Sequence, residues 1–407
     1  MLHKVAIVHF ASPPTVGGVE ATMAYHARGL ADLGYQVRII SGAGADFDAR
    51  VETLIHPLLG SRDPQVLAVK GELDGGLVSD AFHRLVEEVL DVLTEALRGC
   101  DVCIAHNIHS LNKNLPLTAA LHRLTTPRFV AWCHDLAWTN PQYLPELHDG
   151  YPWNLLKQAW PNTRYVTVSE ARRAEMSQAF NLPSAQIAVV TAGVDVPSFL
   201  KWTPQMRLIE DKLHLMDADV LLLLPARLTR RKNIGLGLRV LDELKKLNGA
   251  DYRLIVTGPP GPHNPTNPGY LGELLTLRDE LGLQGTAHFL YELEQPPLIP
   301  DDPTMANLYQ IADALFFPSL QEGFGIPILE AGLVGLPIFC SDLPPLRQTG
   351  QDDVTYFSPE MDSPQHIARQ ISSYFNDNTR QRLKNRVRHH FRWDALIRTQ
   401  LVPLLEV

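Results

Sequence analysis

The apolar positions of this chain fall into two alternating kinds of run. Short, nearly unbroken apolar stretches rich in Val and Ile occur at Val5–Phe10, Gln36–Ser41, Val102–Ala105, Phe129–Trp132 and Tyr165–Val168. Between them, Val19–Leu33 and Asp80–Leu97 carry apolar residues at helical spacing, and Gly34 is placed to cap the first of these. Strands apolar on both faces and separated by helices are what a parallel sheet covered on both sides requires. The same grammar restarts further on. Val220–Leu224, Tyr252–Val256, Ala287–Leu290, Ala314–Phe317 and Pro337–Cys340 read as strands, and Ile234–Leu247, Leu271–Leu281, Met305–Ile311 and Pro327–Val334 as helices. Gly193–Pro204, with two prolines and no period, reads as a linker, and Thr379–Leu405 as a helical tail anchored by Phe391 and Trp393. The fold class predicted is α/β, with two doubly wound Rossmann-like domains facing across a cleft at the carboxyl ends of their strands.

Composition narrows what such a chain can do. At 407 residues it has length for two domains, and 45% hydrophobic with 20% charged residues suits a folded globular protein. No apolar run approaches the ~20 residues a membrane span needs. Met1–Val8 is short for a signal peptide and reads as the first strand. Four cysteines are few for a disulfide framework, and the Cys100/Cys103 pair lacks the partners of a zinc site, so a reducing cytoplasm is expected. The net charge of −9 weighs against nucleic acid as a partner. Lys plus Arg number 15 against 20 Asp plus Glu up to and including Asp195, and 21 against 25 after it, giving −5 and −4. Both halves being mildly acidic weighs against permanent docking to an anionic membrane, where a polybasic face would be expected.

Candidate chemistry gathers at strand ends. Ser319–Gly335 takes the strand Ala314–Phe317 into a turn holding Gly323 and Gly325, then into a helix whose start carries Pro327. Glycines admit a ligand to the backbone, and a helix N-terminus offers N–H groups to a phosphate. Glu322 and Glu330, eight residues apart, flank that turn and can face a sugar and a ribose. After the strand at Val220, Arg227 and Lys232 lie five residues apart across a turn, able to aim a fork and a point charge at one diphosphate; Arg230 and Arg231 read as a solvated basic loop. In the first half, Gly17-Gly18 follows a strand and opens a helix, the setting of a phosphate turn though not a dinucleotide fingerprint. His106-Asn107 and His134-Asp135 close two other strands. His106, His134 and Asp135 come from separate strands without a ligand motif, so no metal site is expected. Two Asp-x-Asp triplets, Asp46-Phe47-Asp48 and Asp217-Ala218-Asp219, read as solvated turns. Proline-rich loops at Gly258–Gly269, Glu294–Pro303 and Trp138–Pro152 either cap sheet edges or shape cleft walls, with Trp138 and Trp153 favouring sugar stacking in the last.

In their order along the chain, the double-glycine turn, the Arg227…Lys232 pair and the Glu322-Gly-Phe-Gly turn with Glu330 resemble the family-four retaining glycosyltransferases of the GT-B fold. The resemblance runs over essentially the whole chain and implies three segments: an acceptor-binding domain over 1–196, a nucleotide-sugar domain over 197–385, and a C-terminal helix over 386–407 that returns to the first domain. It implies that Arg227 and Lys232 bind the donor diphosphate and that Glu322 holds the transferred sugar, helped by backbone N–H groups in the Gly323-Phe324-Gly325 turn. Glu330 would take the ribose, Gly17 and Gly18 would close on the phosphate, and His134 would touch the sugar near the reacting carbon. Gly258 would join the donor wall, and backbone near Phe289–Tyr291, Tyr291 included, would meet the base. The catalytic set so implied is His134, Arg227, Lys232 and Glu322. Ala192-Gly193-Val194-Asp195 stands where relatives commonly carry Asn first, and Lys232-Asn233 where many carry Lys-Gly; here Asn233 could itself cap the helix.

The expected reaction is retaining, metal-independent hexosyl transfer, without a cofactor, from a UDP-glucose or GDP-mannose type of donor to a small soluble sugar or polyol-acid. Assembly of a lipid-linked or surface glycan is the alternative, and a nucleotide-sugar epimerase or a non-catalytic binding module is further from the motif pattern.

Overall fold

A computed structural model describes residues 4–261 and 267–406. The chain divides into two compact units, one of Met1–Val194 with Phe391–Val407 and the other of Asp195–His390. Part of the loop read at Gly258–Gly269 lies outside the described residues.

The first unit is built on seven parallel strands: β1 Lys4–His9, β2 Gln36–Ser41, β3 Val51–Ile55, β4 Val102–His106, β5 Arg128–Cys133, β6 Thr163–Thr167 and β7 Ile187–Val189. Their order is β3-β2-β1-β4-β5-β6-β7, so the strand order reverses direction between β1 and β4. Register there pairs Val5 with Val102 and Val8 with Ala105. The strands are apolar on both sides because both sheet faces are covered. Val8, Phe82, Val89 and Cys103 share one core, and Ile7, Met23, Ile104 and Trp132 the other.

The second unit holds six parallel strands: β8 Val220–Leu224, β9 Tyr252–Val256, β10 Ala287–Phe289, β11 Ala314–Phe317, β12 Ile338–Ser341 and β13 Thr355–Phe357. The order β10-β9-β8-β11-β12-β13 reverses between β8 and β11. An open parallel sheet offers a ligand crevice at the carboxyl ends of the two strands flanking such a reversal.

Several elements differ from their sequence expectation. The linker Gly193–Pro204 holds a short helix, Val196–Phe199, whose first turn is capped by Asp195 accepting from the Ser198 N–H at 3.2 Å. The tail is not one helix. Thr379–His390 ends before Phe391, where Val194 donates to the Phe391 carbonyl at 2.7 Å, and the chain then joins the first unit. There Trp393 stacks on Tyr25 with centroids 5.2 Å apart. Ile397–Leu401 widens into a π turn before Pro403, which has no N–H to give to the preceding turn and crowds its carbonyl. Among the described residues no helix is long and apolar enough to cross a membrane.

Candidate functional site

In the second unit, the segments leaving β8 and β11 are tied together at the strand-order reversal. β8 is all apolar and fully buried, and the chain emerges from it at Pro225-Ala226-Arg227. Gly258 packs against this exit so closely that a Cβ would lie 2.4 Å from the Ala226 carbonyl oxygen and 2.7 Å from Arg227 Cα. The Arg227 side chain is exposed and has no ion-pair partner among the described residues. A tight turn, Arg230–Lys232, follows, and Asn233 adopts φ 51° before the helix Ile234–Lys245. Asn233 therefore does not cap by its side chain, contrary to the sequence expectation. It supplies the left-handed residue of the turn, a conformation Asn and Gly share and most side chains resist.

Lys232 reaches from this turn to Glu322, Nζ to Oε1 2.5 Å, with only 11% and 9% of the two side chains exposed. The Lys232 ammonium also lies 5.0 Å from the centroid of the Phe317 ring. Arg231 donates to the Gln321 carbonyl at 3.1 Å and stands 3.6 Å from the second Glu322 oxygen, while the Leu320 N–H donates to the Arg231 carbonyl at 2.7 Å. Arg231 is thus part of the constellation and not a bystander in a solvated loop. Arg230 turns away and forms an exposed pair with Glu273.

The glycine turn is held from below. Gly325 has φ +89°, and a Cβ there would meet Leu346 Cδ2 at 2.6 Å; a Cβ at Gly323 would meet nothing within 4 Å. Thr349 Oγ1 donates to the Phe324 carbonyl at 2.6 Å, and the half-exposed Phe324 ring stays outside the core. The helix Ile326–Leu333 starts directly after Gly325 with Pro327 in its first turn, and no side chain caps it. Pro327 has no N–H and Ile328 gives its own to the Gly325 carbonyl at 2.9 Å, so the Ile326 N–H and the positive end of the dipole are what this helix start offers an anion. Glu330 is exposed on that helix, and Tyr309 donates its hydroxyl to Glu330 Oε2 at 2.6 Å. Tyr309 is buried, and burial together with the neighbouring carboxylate pushes its phenol well above the ordinary range. Sequence reading missed Tyr309 because it comes from another helix, Asp302–Ile311, with no motif to mark it. Tyr291 lies half-buried in the turn after β10, at the same carboxyl edge and two strands away from β8.

In the first unit the corresponding edge carries the turn Gly17-Gly18. Gly17 is extended and hemmed in by Glu20, whereas a Cβ at Gly18, the first residue of the helix Gly18–Asp32, would meet nothing within 4 Å. Asn107 adopts φ 58° at the end of β4 and its Oδ1 accepts from the His134 N–H at 2.7 Å, which fixes the exit of β5. His134 Nε2 lies 3.0 Å from His106 Nδ1. Burial, then the neighbouring His9, lowers His134 to about 4, so at neutral pH it is an uncharged hydrogen-bonding ring.

Two further expectations need correction. Trp153 is 2% exposed in the core, and Trp138 donates to its carbonyl at 3.2 Å while Lys157 covers the Trp138 ring at 3.6 Å, so neither tryptophan offers a stacking surface, although Tyr143 of the same loop lines a cavity. Nor are the Asp-x-Asp triplets merely solvated. Asp48, hydrogen-bonded to the Arg50 side chain and backbone and close to Arg28, is held down to about 2, and Asp219 accepts from the Asp251 N–H at 2.9 Å and lies 3.1 Å from His389. All four cysteines are free, and burial pushes Cys133 and Cys340 up to about 12.

Both units carry the signature of sugar-transferring enzymes. The family model described as Glycosyltransferase Family 4 matches residues 16–197, and that described as Glycosyl transferases group 1 matches residues 206–390. The chain belongs to the family-four glycosyltransferases of the GT-B fold. It is 25% identical to mannosylglucosylglycerate synthase of Thermotoga maritima, over 84% of this chain and 83% of the relative. It is 24% identical to D-inositol 3-phosphate glycosyltransferase of Corynebacterium urealyticum, over 89% and 83%, and 28% identical to O-antigen chain mannosyltransferase B of Escherichia coli, over 60% and 59%.

Proposed function

We propose that this glycosyltransferase moves a hexose from a nucleoside-diphosphate sugar, with retention at the anomeric carbon, to a hydroxyl of a small soluble sugar or polyol-acid in the cytoplasm. The observation that carries the reading is the Lys232–Glu322 pair beside an uncapped helix start at the β8/β11 reversal. Breaking the bond between sugar and diphosphate puts negative charge on the leaving group. Arg227, Lys232 and the Ile326 N–H at the positive end of the helix answer that charge, and preorganised donors of this kind are each worth ~10²–10³ in rate. They bring the neutralisation a divalent ion would otherwise supply, so the reaction is read as metal-independent. Glu322 accepts from the sugar hydroxyls, with the Phe324 and Gly325 N–H groups beside it. Glu330, oriented by Tyr309, takes the ribose hydroxyls. Within the first unit, the backbone at Gly18 is open to a phosphate and neutral His134 can hydrogen-bond a sugar hydroxyl. The small acceptor is supported by the likeness to enzymes named for a glycerate and an inositol phosphate, which runs over more of the chain than the likeness to the O-antigen enzyme.

A panel of UDP-, GDP- and ADP-sugars, scored for released nucleotide, tests the reading. Glu322→Gln and Lys232→Gln should each lower turnover at least ~10²-fold. Thermal midpoints are recorded alongside, because removing either partner leaves a mostly buried charge. Wild-type turnover in both variants would sink the assignment, and conversion of the donor sugar without release of nucleotide would favour an epimerase.

A further inference from the structure

A cavity of about 630 Å³ opens in the first unit at the carboxyl ends of its strands, beside the β1/β4 reversal. Its wall includes His9, Glu20, Arg62, Lys113, Asp135 and Tyr143. Its charges are unevenly committed. Asp63, also on the wall, accepts from the Gln65 and Val66 N–H groups at 2.8 and 3.3 Å as a helix cap. Asp135 lies 3.6 Å from Arg172. Arg62 and Lys113, by contrast, have no ion-pair partner among the described residues, although the chain up to Asp195 carries 20 acidic against 15 basic side chains. Lys113 is half-buried, with its ammonium 5.9 Å from the Tyr143 ring centroid. Unpaired cations on a concave wall of an otherwise acidic unit mark a place for an anion, a fork and a point charge suiting a carboxylate or a phosphate. A second cavity of about 510 Å³ at the amino ends of the strands offers no such site, since Arg128 and Arg164 there donate to the carbonyls of Leu405, Pro403 and Leu404.

The wall can also read hydroxyls. His9 Nδ1 lies 2.8 Å from the His106 carbonyl oxygen, which can only accept, so the proton sits on Nδ1 and Nε2 keeps its lone pair. Burial lowers His9 and keeps the ring neutral. Glu20, without an ion-pair partner among the described residues, adds a second acceptor for hydroxyl groups.

We infer that the acceptor of this enzyme is a hydroxylated anion whose carboxylate or phosphate is held by Arg62 and Lys113 in the first unit's cavity, a reading that rests on the transfer function proposed above. Binding is measured on the full chain without any nucleotide sugar, in low-chloride buffer, by calorimetric titration with D-glycerate, sn-glycerol 3-phosphate and, as the neutral control, glycerol. At least one of the two anions should bind ten-fold or more tightly than glycerol, and which one does so names the carboxylate or the phosphate. Arg62→Gln/Lys113→Gln should weaken that anion ten-fold or more at an unchanged thermal midpoint, and the single variants should raise the acceptor KM more than the donor KM. Glycerol binding as tightly as both anions, affinity unchanged in the double variant, or an effect confined to the donor KM would overturn the inference. Because the titration needs no donor, a protein that binds the anion yet releases no nucleotide would sink the transfer reading and leave the anion site standing.

Discussion

Two glycines of the Ser319–Gly335 stretch look interchangeable in sequence and are not so physically. Gly325 stands at φ +89° with its α-hydrogen turned toward Leu346. A side chain in the left-handed region costs about 1–2 kcal/mol, and the alanine methyl would also displace Leu346. Gly323 has neither constraint; the space beside it is open for 4 Å. Gly325→Ala should therefore lower the thermal midpoint of the second unit by several degrees. Gly323→Ala should leave that midpoint unchanged but raise the nucleotide-sugar KM about ten-fold, ~1.4 kcal/mol of donor binding, because its methyl would fill the approach to the backbone. A Gly323→Ala enzyme with wild-type donor KM would mean that the turn does not seat the donor. The two variants separate a glycine needed by the fold from one left open to a ligand.

Elements were legible where their cause is local. Five strands of the second unit were found to within a residue or so because burial on both faces makes them unbroken apolar runs. β3, β7 and β13 were missed: each lies at a sheet edge, two are three residues long, and half-exposed stretches such as Val51–Ile55 owe their pairing to the neighbouring strand more than to composition. Helices at Pro64–Asp74, Pro204–Leu213 and Pro364–Asn376 did carry a readable signal, an Asp, Thr or Ser followed by Pro, and in each the first of these caps the helix. Of the site, Lys232 and Glu322 were readable as a motif, but their direct bond was not, nor was the tie to Tyr309, since both depend on which strands the topology sets side by side. The helix Thr379–His390 shows how much such distant ties carry. Asp313, the residue before β11, accepts from the Leu221 N–H, from Arg388 and from Lys384, each at 2.7 Å, and both Asp313 and Arg388 are fully buried. Burial alone would raise this carboxyl, but Arg388 and Lys384 outweigh it and hold Asp313 below its usual range. Asp313→Asn keeps the shape and leaves two cations uncompensated, so it should cost about 3–5 kcal/mol. A urea titration followed by far-UV circular dichroism should show the loss, and an unchanged unfolding midpoint would reduce the triad to a surface-like contribution.

At the scale of the whole molecule, the two units should answer acid differently. The first contains His26 and His109, both fully buried, with no hydrogen-bond partner for either ring nitrogen among the described residues. His26 packs edge-on to Trp132 with centroids 4.5 Å apart, and His109 lies 4.0 Å from Trp160. Burial lowers both to about 3, against 6.5 for an exposed histidine, and His134 to about 4. Folded-state values below the unfolded one mean that the unfolded chain binds protons first. The stability is therefore fully present above pH 6.5 and drains away as pH falls toward 3, at about 1.4 kcal/mol per pH unit for each such histidine. His26 and His109 together give roughly 3 kcal/mol per unit, a large share of the 5–15 kcal/mol typical of a folded domain. In the second unit only His288 is comparably lowered among the described histidines, to about 4. Five of the six tryptophans, all but Trp202, lie in the first unit, so tryptophan fluorescence reports mainly on it while circular dichroism reports on both. Between pH 6.5 and 5 the urea midpoint by fluorescence should fall steeply and separate from a later transition seen by circular dichroism. His109→Phe, which keeps a ring against Trp160 and removes the titrating group, should flatten the fluorescence slope by about 1.4 kcal/mol per pH unit. Coincident transitions with no pH dependence, or a slope unmoved by His109→Phe, would mean that these rings are charged in the native state and that the first unit has a way to hydrate them.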